Sequence, residues 1–401
     1  MHIRSLSLRQ FRMYSRLELD LPAAPILLLG ANAQGKTSLL EAIAYLALGH
    51  SPLTHMDRHL IHWNSVQADM PYAHLRADVT HHDHTEEIEI ALQHRTLSNG
   101  QSRLEKRIRV DQHAIRRAGL AGHLNVVMFM PEDVELVCGA PTGRRRHLDD
   151  LLSQVYPVYV EALNKYQSAL SRRNALLRHL RGRGGDKRQL APLEEVLAQT
   201  GVTISLHRRR AVGALTFFAD RLHQDLTGGT AWLQLQYQPN FDTLKPPALD
   251  YQMGLLPQTA TESPVDEAAL QSAYQAMFES RRRQEVERGM TLVGPHRDEL
   301  RFISAGMDVG VFGSRGQQRT AVLALRLAEL RWLEHVTRES PVLLLDEVLA
   351  ELDRARRGYL LGLLGEVEQT ILATTDAEMF PEEFRKKTTP LQVKGGIVTP
   401  L

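Results

Sequence analysis

The tightest constraint in this 401-residue chain is the octapeptide Gly30-Ala31-Asn32-Ala33-Gln34-Gly35-Lys36-Thr37. It fits G-x-x-x-x-G-K-[ST], the pattern of a phosphate-binding loop between a strand and a helix. Glycines at 30 and 35 permit backbone angles and close approaches that a side chain would block, so successive N–H groups turn toward phosphate oxygens. Lys36 brings a positive charge to the β- and γ-phosphates of ATP, and the Thr37 hydroxyl suits a Mg²⁺ shell. The flanks supply the required context. Ile26-Leu27-Leu28-Leu29 reads as a buried strand. Thr37 to Leu48, with Leu40, Ile43, Leu46 and Ala47 on one side, reads as a helix whose positive N-terminus faces the phosphates. A ligand-free glycine-rich turn is the bland alternative, and it leaves those flanks unexplained.

A second motif lies far downstream. Pro341-Val342-Leu343-Leu344-Leu345 and Thr370-Ile371-Leu372-Ala373 are unbroken apolar runs, as expected of strands covered on both faces in a parallel sheet. The first ends in Asp346-Glu347. An Asp there holds Mg²⁺ beside the loop, and the adjacent Glu347 is placed to polarise an attacking water. Lys36 and Asp346 lie 310 positions apart. Compact P-loop folds keep these motifs much closer, so a large block is inserted inside the core.

The pattern along the rest of the chain says what the block is. Ile3 to Leu8, Leu17 to Leu21 and residues 74–115 alternate apolar and polar, the mark of half-buried antiparallel strands. The run His81-His82-Asp83-His84 falls at a turn and reads as a solvated hairpin tip, with adventitious metal binding as the other reading. From Leu148 the period becomes helical, with Pro157 separating a short helix from a longer one that stops near Gly182. Further helices are expected over 189–222 and 265–288, with a strand at 231–237 and an irregular proline-rich connection over 238–264. Helices are also expected over 319–336 and 354–364. The expected organisation is therefore 1–140 and 290–401 as two halves of one head, with 141–289 as a helical arm lobe.

Bulk properties narrow the partners. Forty-eight basic against 47 acidic residues give a net charge of +1, so a nucleic-acid site must come from local clustering. Arg144-Arg145-Arg146, Arg172-Arg173, Arg208-Arg209-Arg210 and Arg281-Arg282-Arg283 are such clusters, and solvated, acid-paired helix faces are their plain reading. The lone Cys138 excludes an internal disulfide or thiolate cage. With no signal peptide and no membrane-length apolar run, a cytoplasmic protein is expected.

Phe312-Gly313-Ser314-Arg315-Gly316-Gln317-Gln318-Arg319 places a hydroxyl and a glycine at a helix start, a second anion site. With Lys36, Asp346-Glu347 and Glu351-Leu352-Asp353, it resembles the signature and D-loop of ABC ATPases. The resemblance narrows to the RecF family in the SMC-like branch. It is carried by Phe11-Arg12 and Tyr14, Gly30 to Ala42, Phe129-Met130-Pro131-Glu132-Asp133, and Gly139 with Arg144-Arg145. Gly294-Pro295-His296-Arg297-Asp298 and Gly313 to Thr320 complete it. The implied fold is α/β, an ABC-type P-loop ATPase head with an inserted, mostly helical lobe. The implied site has Arg12 and the loop on ATP and Thr37 and Asp346 on Mg²⁺. Glu347 is the implied catalytic base, and Ser314, Gly316, Gln317 and Asp353 come from a second subunit. The implied function is slow, DNA-stimulated ATPase switching in recombinational repair and replication restart. An ATP-dependent homodimer would bind single-stranded, duplex or gapped DNA, help RecO and RecR load RecA at gaps, and contribute to SOS induction. Thr374-Thr375-Asp376 stands where transporters place a switch histidine. Arg58 is the nearest candidate for an arginine the family often has near 51–53. Rival classes are an SMC-type structural ATPase, which needs much longer arms, and a transport ATPase subunit, which needs a membrane partner. An ATP-gated nuclease would need a further carboxylate cluster.

Overall fold

The computed structural model describes residues 1–66, 70–96, 102–240 and 266–401. Its centre is a six-stranded, mostly parallel sheet. Across it run Ile397–Pro400, Thr389–Lys394, Ile26–Leu29, Thr370–Thr374, Val342–Asp346 and Val126–Phe129, and the terminal hairpin is the antiparallel part. The apolar runs are continuous because successive side chains enter different cores. Ile26, Leu28, Val342 and Leu344 pack on one side, while Leu27, Leu343 and Leu345 pack on the other.

On the first side lies an antiparallel sheet in the order Tyr14–Asp20, His2–Phe11, Tyr72–Thr80, Thr85–Thr96, Ser102–Val110, His113–Ile115. Between the two sheets runs the helix Lys36–Leu48, with Leu39 to Leu48 buried without interruption. The expected one-sided pattern understated this: a helix pressed between two sheets must be apolar all round. On the other side pack the helices Pro141–Ser153, Pro157–Arg183, Ala191–Thr227, Glu267–Arg288 and Arg315–Thr337. They share one continuous core with that face of the parallel sheet.

Helix limits follow local chemistry. Pro157 sits at the first position of its helix, where its missing N–H costs nothing. Gly228 ends Ala191–Thr227 in the left-handed conformation, and Asp266 caps Glu267–Arg288 through the Ala269 N–H. The strand expected at 231–237 is Gln234–Gln238. It pairs with Glu299–Ser304, which also pairs with Met307–Asp308. Most of the proline-rich connection lies outside the described residues.

The arginine clusters separate on folding. Arg173 is wholly buried, held by Glu194 at 2.7 Å and Glu285 at 2.5 Å. Arg208 is clamped by Asp149 and Asp298, and Arg144 by Glu299 and the Gly139 carbonyl. These three brace the helical layer from within, whereas Arg172, Arg178, Arg181, Arg183, Arg281 and Arg283 are exposed. The 81–84 turn also departs from expectation: the His81 side chain is only 6% exposed.

Candidate nucleotide site

The loop from Gly30 to Gly35 leaves the carboxyl end of Ile26–Leu29 and enters the helix at Lys36. Gly30 is required by a neighbour: a Cβ there would lie 2.3 Å from the Val393 carbonyl oxygen. Gly35 has φ +113°, a conformation reserved for glycine, and Ala33 is left-handed at φ 61°. Ala31 to Ala33 are exposed, so this strained arc faces solvent. Two braces hold it from behind. The Tyr14 hydroxyl donates to the Gly35 carbonyl at 2.9 Å. The Gly395 N–H donates to the Gln34 side-chain oxygen at 2.8 Å, and the Gly396 N–H donates to the Gln34 carbonyl at 3.1 Å.

Two strands away, Val342–Asp346 brings its acidic end to the same place. The Thr37 hydroxyl donates to Asp346 Oδ2 at 2.6 Å, joining residues 309 positions apart. Asp346 Oδ1 is buried with no protein partner. Burial, with Glu347 beside it, raises the Asp346 carboxyl above its ordinary pKa. The ammonium of Lys36 bonds the carbonyls of Gly30 at 2.6 Å and Ala31 at 3.1 Å. It also stands 3.2 Å from Glu347 Oε1. That Glu347 oxygen makes no aligned hydrogen bond, so the link is a charge contact. Glu347 itself is left-handed at φ 53°, a strained position for a non-glycine residue. The donor set suits a hard cation and phosphate together. An unspent buried carboxylate oxygen lies beside a hydroxyl, and a near-buried ammonium rests on carbonyls at the mouth of a helix N-terminus.

The other expected residues lie apart from this cluster. Ser314 starts the helix Arg315–Thr337 with a capping box: Gln317 N–H donates to Ser314 Oγ, and Ser314 N–H donates to Gln317 Oε1. Ser314, Gly316 and Gln317 are exposed, and their cap closes on itself. Asp353 caps Arg354–Leu364 and pairs with Arg356. Arg12 makes a two-point ion pair with the buried Glu41, both contacts at 2.7 Å, and donates to the His59 carbonyl. Arg58 is exposed beside His59, and Asp376 caps its own short turn. Sequence reasoning missed Tyr14 as a brace and the link from the Phe129 loop to the signature helix. There Asp133 grips buried Arg326 at 2.6 and 2.9 Å, and Arg326 reaches Glu329 at 3.0 Å.

The parallel sheet, the loop and the acidic strand end define a P-loop ATPase-type head carrying inserted helices. A family model described as the RecF/RecN/SMC N terminal domain matches residues 2–396. The DNA replication and repair protein RecF of Herpetosiphon aurantiacus is 40% identical over the full length of both chains. That of Chloroflexus aurantiacus is also 40% identical, over 99% of each. A solved structure of the recombination mediator protein RecF-ATPrS in the RecFOR pathway superposes with TM-score 0.84 at 27% identity. It covers all of this chain and 98% of the other. A RecF-ATP structure superposes at 0.81 and 26% identity, covering 100% and 97%. The chain belongs to the RecF family. None of its described helices is long and apolar enough to cross a membrane.

Proposed function

We propose that this chain is an ATP-binding DNA-repair protein of the RecFOR type whose output is a conformational state. One observation carries the reading. Lys36, Thr37, Asp346 and Glu347 converge at one place, while the signature at Ser314 to Gln317 is exposed on a helix N-terminus elsewhere. This arrangement supports half of a composite site in one chain, with its complement left for another molecule. In this reading residues 1–140 and 290–401 form the head and 141–289 the arm.

ATP with Mg²⁺, when bound, supplies the phosphoryl bond to be cleaved and the charge that balances it. The backbone from Gly30 to Gly35 and Lys36 would hold the phosphates, and Thr37 with Asp346 would hold the metal. Lys36 would exchange its contacts with Glu347 and the loop carbonyls for phosphate. Glu347, so released, would orient a water and take its proton. Ser314, Gly316, Gln317 and Asp353 of a second copy would close the site, which makes dimerisation depend on the nucleotide. Arg12, tied to Glu41, would act through the helix carrying Lys36. Exposed Arg172, Arg178, Arg181 and Arg183 on the lobe helix Pro157–Arg183 would meet DNA phosphates, with RecO and RecR as partners.

Light scattering tests the switch. Lys36→Ala is expected to lose ATP binding, and Glu347→Gln to remain an ATP-bound dimer. A Glu347→Gln protein that stays monomeric with saturating ATP would falsify the composite site.

A further inference from the structure

The antiparallel sheet carries a second constellation, remote from the nucleotide. His81 and His84 flank the turn between Tyr72–Thr80 and Thr85–Thr96, and Glu86 opens the second strand. Their ligand atoms lie within 4.8 Å of one another, and the side chains of His81 and Glu86 are each 6% exposed. The two imidazoles stack at 4.6 Å with a 7° interplanar angle, and both Nε2 atoms lie near Glu86. His81 Nε2 is 3.0 Å from Glu86 Oε1, and His84 Nε2 is 3.9 Å from Glu86 Oε2. Each remaining ring nitrogen faces another carboxylate. His81 Nδ1 is 3.0 Å from Glu339, and His84 Nδ1 is 2.7 Å from Asp83.

A neutral imidazole has one N–H. Where it is donated from Nδ1 to Glu339 and to Asp83, the two Nε2 lone pairs are left to ligate, with the Glu86 carboxylate beside them. One divalent ion between the three groups would meet two nitrogen lone pairs and a carboxylate oxygen at once. Ligands about 2.1 Å from a tetrahedral metal sit about 3.4 Å from one another; His81 Nε2 and His84 Nε2 are 3.0 and 3.9 Å from the two different oxygens of Glu86. A carboxylate behind each ligating histidine is the usual outer shell of such a site. His123, with Nδ1 2.8 Å from Glu86, orients the third ligand in the same way.

We propose that His81, His84 and Glu86 bind a Zn²⁺ ion, with water in the fourth position. Two nitrogen donors favour zinc over magnesium or calcium. Glu339 precedes the strand Val342–Asp346 and His123 precedes Val126–Phe129, so the site is at the amino ends of the parallel strands. Asp346 is at the opposite end. The ion would therefore staple the antiparallel sheet to the parallel one and take no part in ATP chemistry.

The test uses the full chain, freed of metal by a chelator and titrated with zinc chloride against a chromophoric competitor. One tight ion per chain is expected, together with a zinc-dependent rise in melting temperature. Asp83→Asn should weaken zinc at least about tenfold by freeing the His84 ring. His84→Ala, at a side chain 54% exposed, should weaken it more and abolish the thermal shift. Both variants should bind ATP as the wild type does, which separates this site from the nucleotide reading. Equal zinc affinity in wild type and His84→Ala, or no thermal response in the wild type, would overturn the proposal.

Discussion

Gly30 and Gly35 answer different demands at the two ends of one loop. Gly30 yields to the backbone of Val393 pressing on it, whereas Gly35 adopts a φ that only glycine holds cheaply. Tyr14 fixes the second end through the Gly35 carbonyl. That carbonyl also receives the Leu39 N–H, so Tyr14→Phe leaves it partnered and should cost only about 1 kcal/mol. Its effect belongs on nucleotide affinity: a several-fold rise in the ATP dissociation constant is expected, with little change in melting temperature. A second residue, His296, is a reporter for acid. Burial lowers its pKa from 6.5 to about 4, and the ring is held neutral between the Tyr166 hydroxyl and the Thr291 carbonyl. Below pH 6.5 the unfolded chain takes up a proton that the folded one refuses, so stability falls as pH drops from about 6.5 to about 4. Urea unfolding at pH 7.5 and 5 should show a smaller acid loss for His296→Gln than for the wild type.

At the scale of elements, the proposed composite site would make the helix Arg315–Thr337 the part that reports on the nucleotide. Its start carries the exposed signature, and its middle is tied through Arg326 to Asp133, just beyond the strand Val126–Phe129. His147 from the helix Pro141–Ser153 bonds Glu329 on the same helix, so the two helices are tied there. Asp133→Asn would leave a buried guanidinium short of one charge, and a loss of about 3 kcal/mol is expected in chemical denaturation. Ser314→Ala is the contrasting case. Losing one cap costs about 1 kcal/mol, which leaves the fold intact. If the signature serves a second copy, this variant binds ATP normally but no longer dimerises with it. A Ser314→Ala protein that dimerises like the wild type would remove the signature from the site.

Across the whole molecule, the exposed arginines of the lobe set the DNA prediction. Replacing Arg172, Arg178 and Arg181 with Ala should weaken binding to all sequences alike. The dependence of log affinity on log salt should become shallower by about one unit for each phosphate no longer neutralised. Unchanged slopes would move the DNA surface elsewhere. Much of the head was legible in the chain itself, because loop, acidic strand end and signature are each local patterns. The strands Val126–Phe129, at one edge of the sheet, and Thr389–Lys394, next to the other edge, were not, since four to six residues without a distinctive period become strands only when a sheet receives them. The arginine clusters divide for a related reason: neighbours in sequence point to different helix faces. Packing therefore buried Arg173 against Glu194 and Glu285 while Arg172 stayed in solvent.

What the sequence determined alone was chemistry that needs only neighbours along the chain: the glycines and lysine of the loop, the Asp346-Glu347 strand end, and the helices with their caps. Tertiary structure decided what depends on distant residues. It joined Thr37 to Asp346, placed Glu347 against Lys36, bound Arg12 to Glu41, and gathered His81, His84 and Glu86 beside Glu339. Charge interactions fall off with distance in space, and a chain's order does not record that distance until it folds.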